Sequence, residues 1–206
     1  MDSIDNLKIK QILEETKDIN LVVASKYIDE YKMLELFKLG IHNFGENRVD
    51  SFISKYETLK DYPIIWHFIG HLQTNKARLV LNKIEYLHSL DSLKLASLID
   101  KYCTKPLKCF VEINMTLSNT KNGIKLCDLD EFLNALKQYK KVEVIGLMTM
   151  TEKNQNNKEK YEIFKSLKEV AKKHHLQELS MGMSDDYKEA IKAGATYVRL
   201  GRIICF

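Results

Sequence analysis

Five segments of this chain are apolar almost without interruption: residues 21–25, 64–69, 109–113, 142–148 and 196–200. A strand with one face in water alternates apolar and polar side chains, because successive Cβ atoms point to opposite faces. Runs without that alternation call for strands covered on both faces, the condition of a parallel sheet flanked by helices. Three weaker candidates, 41–44, 84–89 and 178–181, fall in the gaps and bring the expected strands to eight.

Between the strands, apolar residues recur at the three- and four-residue intervals that place them on one face of a helix. Met33, Leu36, Phe37 and Gly40 form one set, followed by Val49, Phe52, Ile53 and Tyr56, then Leu95, Leu98, Ile99 and Tyr102. Leu129, Phe132, Leu133 and Leu136 repeat it, as do Ile163, Leu167, Val170 and Ala171, and then Tyr187, Ala190, Ile191 and Gly194. Asp29 and Gly40 bracket the first crossover helix, while Asp91 and Asp128 stand where later helices should begin. Pro63 and Pro106 each stand just ahead of a strand, and the polar stretch 154–157 reads as a loop into the sixth helix.

Eight strands alternating with helices predict the α/β class and one domain over residues 1–206, a single (β/α)8 barrel of the TIM type. It is more compact than the roughly 250 residues usual for that fold. Residues 202–206 leave room only for a truncated last helix, so the amphipathic N-terminal segment is expected to form a helix covering that part of the barrel. An open doubly wound sheet is the rival, and strand order separates the two.

A hydrophobic fraction of 45% suffices for one substantial core. No run approaches the roughly 20 apolar residues that span a bilayer, and residues 1–5 lack the basic-then-apolar pattern of a signal peptide. Cys103, Cys109, Cys127 and Cys205 show no C-x-x-C spacing, which points to reduced thiols in a cytoplasmic protein. The net charge of +4 is spread among intermixed lysines, glutamates and aspartates, a solvated-surface pattern that predicts neither nucleic acid nor membrane as partner.

In a barrel, chemistry collects at the carboxyl ends of the strands. Those positions hold Lys26, Glu46 and Asn47, His67 to Gly70, Asp91, Glu112 to Asn114, Met148, Ser180 to Ser184, and Arg199 to Gly201. Lys26 closes the first apolar run. It either reaches solvent along its alkyl stem or stays desolvated, which disfavours the ammonium and leaves an amine able to attack an aldehyde. Taken alone, the solvated strand end is the simpler reading. Gly182 and Gly201 let backbone approach an anion, and Ser184 offers a hydroxyl beside a helix about to start at Asp185. The loops after strands seven and eight hold phosphate in many barrels, although the same glycines also suit tight turns. His67, in an apolar strand, reads as a hydrogen-bonded core residue more readily than as a general base; Trp66 and Met148 read as packing in the barrel interior or as walls of the pocket.

Seven motifs run in order: V-A-S-K at 23–26, F-G-E-N at 44–47, W-H-F-I-G at 66–70 with L-Q-T-N-K at 72–76, K-x-G-I at 121–124, G-L-M at 146–148, G-M-S-D-D at 182–186 and V-R-L-G at 198–201. In these the chain, from about residue 21 to 200, resembles the pyridoxal phosphate homeostasis proteins, a family related to the N-terminal barrel of alanine racemase. The resemblance implies that Lys26 carries pyridoxal 5′-phosphate as a Schiff base. It implies that Ser184, the backbone around Met183, and Gly201 hold the phosphate, and that Arg199 faces the pyridine nitrogen. Asn47 would bond the ring or order the loop beneath it, and Lys121 would touch an anion at the mouth or lie solvated in its loop. A guanidinium only donates, so opposite a pyridine nitrogen it disfavours a protonated ring and makes the cofactor a weaker electron sink.

Racemases of the related barrel add a second acid/base, a tyrosine on a further β domain of the partner subunit, and this chain ends where that domain would begin. The resemblance therefore implies no catalytic residue. It implies a monomeric, cytoplasmic carrier or regulator of pyridoxal phosphate in intracellular vitamin B6 homeostasis, with PLP-dependent apo-enzymes as recipients. Two alternatives remain: a racemase-like, PLP-dependent enzyme acting on a small amino acid, and a phosphosugar barrel whose Lys26 condenses with a ketose. One departure stands out. After V-R-L-G the family continues with a small hydroxyl residue, but here Arg202 follows; the hydroxyl contact is in doubt, and the long side chain is expected to turn outward.

Overall fold

The computed structural model describes residues 6–115 and 122–205. Eight parallel strands form its wall: β1 (Asn20–Ala24), β2 (Asn43–Glu46), β3 (Ile65–Phe68), β4 (Tyr86–Leu90), β5 (Leu107–Asn114), β7 (Val142–Met148), β8 (Glu178–Ser180) and β9 (Tyr197–Leu200). A two-residue strand, β6 (Ile124–Lys125), hangs on the carboxyl end of β5. Each wall strand pairs with the next, β4 pairs with β5, and β9 returns to β1 with Val22 opposite Arg199 and Val23 opposite Leu200. The sheet is thus a closed barrel, and the open doubly wound arrangement is excluded.

The unbroken apolar runs have their explanation here. Val23, Phe44, Trp66, Phe68, Leu87, Cys109, Val111, Leu147 and Val198 join the large core cluster, which also takes in the buried faces of the helices. The alternate residues Val22, Phe110, Met148 and Tyr197 form a second, smaller cluster in the barrel interior. Burying such side chains contributes about 1.5–3 kcal/mol each.

The helices are α1 (Asn6–Glu15), α2 (Glu30–Lys38), α3 (Val49–Leu59), α4 (Leu93–Tyr102), α5 (Leu129–Leu136), α6 (Asn157–Lys173), α7 (Tyr187–Ala193) and α8 (Arg202–Cys205). α2 starts where Asp29 accepts from the Lys32 N–H at 2.9 Å, buries Met33 and Leu36, and ends ahead of Gly40, whose φ of +94° suits a residue without Cβ. Asp91 does not cap α4. Ser92 does, accepting from the Leu95 N–H, because Asp91 is drawn aside to His71. Asp128 holds the N-cap position of α5 without a side-chain bond. The polar 154–157 stretch leads into a capping box, in which Asn156 and Glu159 bond each other's backbone N–H.

The strand–helix rhythm breaks once. Between β3 and β4 there is only a 3₁₀ turn, Ala77–Leu79, and Leu72, Ala77, Val80 and Leu81 cover the barrel from an irregular segment. This stretch lacks the apolar stripe of the six helical sets. The N-terminal helix α1 does cover the last crossover beside the four-residue α8. It buries Ile9 and Ile12, its Glu15 accepts from the Tyr187 hydroxyl and the Lys188 ammonium, and Lys8, Gln11 and Ile12 share a cleft with Ser184 and Ile203.

Gly146 lies opposite Glu178 in the β7–β8 ladder, and an added Cβ would stand 1.9 Å from the Glu178 carbonyl oxygen. Backbone cannot yield there without parting two strands. Gly146→Ala is expected to cost at least about 2 kcal/mol, measured by urea unfolding of the purified variant.

Candidate functional site

Lys26 sits in a 3₁₀ turn, Ser25–Tyr27, directly after β1. Its side chain is exposed, with Nζ 4.7 Å from the centroid of the Tyr27 ring. The desolvated amine considered from sequence is therefore not what the fold presents. β1 ends at Ala24, and the turn carries the lysine out of the wall to the barrel mouth.

The turn is fixed from below. Ser25 is buried, its Oγ donates to Glu46 Oε1 at 2.8 Å, and Lys55 Nζ donates to both the Ser25 carbonyl and Glu46 Oε1 at 2.6 Å. Glu46 Oε2 accepts from the Asn47 N–H at 3.3 Å. One buried carboxylate thus ties the end of β1 to the end of β2. The sequence reading missed Lys55, although it carried a signal: a charge between Phe52 and Leu59 on the buried stripe of α3. Lys55→Met should cost about 3–5 kcal/mol by stranding the Glu46 charge. Adding Glu46→Gln should recover part of that loss in urea titrations.

Asn47 stands at the mouth beside the end of β3. Its Oδ1 is buried without a hydrogen-bond partner. Gly70 passes so close that a Cβ there would come within 2.4 Å of the Asn47 carbonyl oxygen.

The loops after β8 and β9 meet at one hydroxyl. Ser184 Oγ accepts from the backbone N–H groups of Gly201 and Ile203, each at 3.3 Å. Gly182 makes its turn at φ +91°, with no room for a Cβ against Ala190. Gly201 lies against Ala24 and Tyr27, where an added Cβ would be 3.3 Å from the Ala24 Cβ, so these loops adjoin the Lys26 turn. The Met183 N–H, in the same loop, donates to Asp186 Oδ1 at 2.6 Å. Arg202 is exposed and paired with Asp185, turned outward as its length suggested.

Arg199, on β9, is buried in the barrel. Nη1 donates to Ser180 Oγ and Nη2 to the Thr149 carbonyl at 3.1 Å. Burial pushes its pKa down to about 10, against the pull of Glu112 and Asp186, and it remains a cation at neutral pH. Beneath it the polar contacts continue. Ser180 Oγ is 2.7 Å from His88 Nδ1, His88 Nε2 is 2.9 Å from His67 Nδ1, and His67 Nε2 is 3.0 Å from Asn43 Oδ1. His67 is the hydrogen-bonded core residue the sequence suggested, stacked on Tyr86. His88 was not singled out, since nothing in its own strand distinguishes it from a packing residue.

Facing this group from β5 is Glu112, only 4% exposed. Burial, and then Asp91, push its pKa up to about 7, while Arg199 and His71 pull it down. Asp91 itself accepts from His71 Nδ1 at 3.0 Å. Lys121 lies outside the described residues.

Two opposed pH dependences follow. Burial pushes His67 down to about 3, so the unfolded chain binds its proton first. Its contribution is present above about pH 6.5 and lost as pH falls toward 3. Glu112 holds its proton more tightly when folded. Its contribution is present below about pH 4.5 and lost as pH rises toward 7. Glu112→Gln should therefore gain stability relative to the parent across that window, by up to roughly 1.4 kcal/mol per pH unit, as read by denaturation at fixed pH values.

A closed parallel barrel with a lysine after β1, a buried arginine on β9 and glycine-serine loops at the same mouth defines a barrel of the alanine racemase N-terminal domain type. The model of that domain matches residues 11–206. Among the relatives, the pyridoxal phosphate homeostasis protein of Aquifex aeolicus is 37% identical over 193 residues, covering 89% of this chain and 85% of its own. PipY of Synechococcus elongatus, solved without PLP, superposes with a TM-score of 0.91 at 29% identity, covering 97% of this chain and 99% of its own. The same protein with PLP bound gives 0.87 at 28% identity, covering 97% and 100%. The chain belongs to the pyridoxal phosphate homeostasis protein family.

Proposed function

We propose that this chain binds pyridoxal 5′-phosphate at the barrel mouth and acts as a carrier and regulator of the cofactor in intracellular vitamin B6 homeostasis. The observation that carries the reading is the convergence, at one mouth, of groups that fit the three ends of such a molecule. Lys26 offers an exposed primary amine to the aldehyde, condensing with loss of water. The Gly201 and Ile203 amides, gathered with Ser184 Oγ, suit a phosphate. The buried guanidinium of Arg199 suits a ring nitrogen that accepts but does not carry a proton. The unpartnered Asn47 Oδ1 gives that side chain a hydrogen-bonding reason to face a ligand. A homologue solved with PLP bound supports the same reading.

When bound, the cofactor supplies an electron-withdrawing ring, and a neutral pyridine makes it a weak one. That suits storage better than turnover. The carrier acts as a monomer in the cytoplasm and passes PLP to apo-enzymes. Lys26→Ala should abolish the absorption band of the covalently held cofactor and leave no lysine modified after borohydride treatment. Mass mapping of the native protein should find the label on Lys26, and a label on any other residue would overturn the tether.

A second reading, a PLP-dependent enzyme acting on a small amino acid, has one observation in its favour. Glu112 is buried at the mouth and titrates near neutrality, as a general acid or base requires. α-Proton exchange of amino acids in deuterated water separates the two. Turnover that Glu112→Gln removes favours the enzyme; no exchange above the rate with free PLP favours the carrier.

A further inference from the structure

With Asn43 presenting its Oδ1 to His67, the hydrogen bonds beneath Arg199 take one direction. A guanidinium cannot accept, so the Ser180 hydroxyl oxygen is the acceptor of Arg199 Nη1. At the other end Asn43 Oδ1 accepts, which places a proton on His67 Nε2. A neutral His67 then has a bare Nδ1, which accepts from His88 Nε2–H. His88 in turn has a bare Nδ1, and the Ser180 hydroxyl donates to it. Each link from Arg199 to Asn43 then pairs one donor with one acceptor, with both rings neutral, and the chain runs from the site toward the opposite end of the barrel. Neutrality agrees with the environment: burial drives His67 down to about 3, and drives His88 well below its ordinary value with help from His67 and Arg199.

We infer that His88, held in one tautomer by His67, is a positioning residue for Arg199: by accepting the Ser180 proton it turns the serine lone pair toward the guanidinium and so fixes where Arg199 aims. The inference rests on the cofactor reading for what Arg199 faces, but the hydrogen-bond chain does not. Without the chain the Ser180 hydroxyl can rotate, and among the described residues Arg199 keeps the Thr149 carbonyl as its one directed partner. A chain of aligned bonds in a low-dielectric interior also strengthens each member. That gives two buried histidines a purpose that apolar residues would not serve. The rings add packing of their own, His88 on Phe110 with centroids 4.5 Å apart and His67 on Tyr86 at 4.5 Å, so the test has to part packing from polarity.

Two variants do this in the full chain. His88→Phe keeps a ring against Phe110 and removes both nitrogens. His88→Gln keeps an acceptor for Ser180 and a donor for His67. With PLP as the probe, His88→Phe is expected to load at Lys26 but with a dissociation constant raised about tenfold, the size of one charge-assisted hydrogen bond, and with a shifted absorption maximum. His88→Gln should stay within about twofold of the parent in affinity and match its spectrum. If both variants match the parent, or if both are equally impaired, the positioning role is overturned. Imidazole nitrogen spectra of the cofactor-free protein supply an independent check. Both rings should be neutral with the proton on Nε2 from pH 5 to 8, and a proton on His88 Nδ1 overturns the chain. Failure of the parent to take up PLP sinks the cofactor reading instead, and the nitrogen spectra still decide whether His88 holds Ser180.

Discussion

The pairing of β9 with β1 joins the two ends of the sheet, and the site depends on that closure. In register it sets Arg199 beside Val22 and brings Gly201 against Ala24 and Tyr27. An amine from one end of the chain and amides from the other thereby share one mouth. Closure also removes the sheet edges, and the strands pack one face into the barrel interior and the other against the helices. That is why the strands read as unbroken apolar runs.

A barrel interior filled only by branched aliphatics would be the simpler core. Here a polar file replaces part of it, from Asn43 through His67, His88 and Ser180 to Arg199. Burying such groups costs several kcal/mol when bonds are missing and little when all are made. The file is complete, and with the pull of Glu112 and Asp186 it lets the charge of Arg199 be tolerated inside the barrel. The Glu46–Lys55–Ser25 cluster follows the same rule beneath the Lys26 turn, where each buried polar atom serves to orient a residue at the mouth. Rigidity at this mouth comes from satisfied polar groups as much as from packing.

The strands, six of the helices, the Asp29 cap and the outward turn of Arg202 were legible locally, because period and capping depend on residues within a few positions of one another. Asp91 resembled a cap and became the partner of His71, a residue from another strand end. His88 carried no local mark at all. Its meaning lies in His67 and Ser180, which only barrel curvature brings within reach.

The sequence by itself determined the unbroken apolar runs and the helical patterns, the count of strands, the parallel class and the family motifs, since each depends on which side chains follow one another along a chain. The tertiary structure alone decided that the sheet closes, that Lys26 stands exposed at the rim, that Lys55 is paired with a buried carboxylate, and that Arg199 meets Ser180 at the head of a file holding two buried histidines. Those outcomes depend on distances between residues far apart in sequence, and on how much water reaches each polar atom. Neither quantity is written in local order.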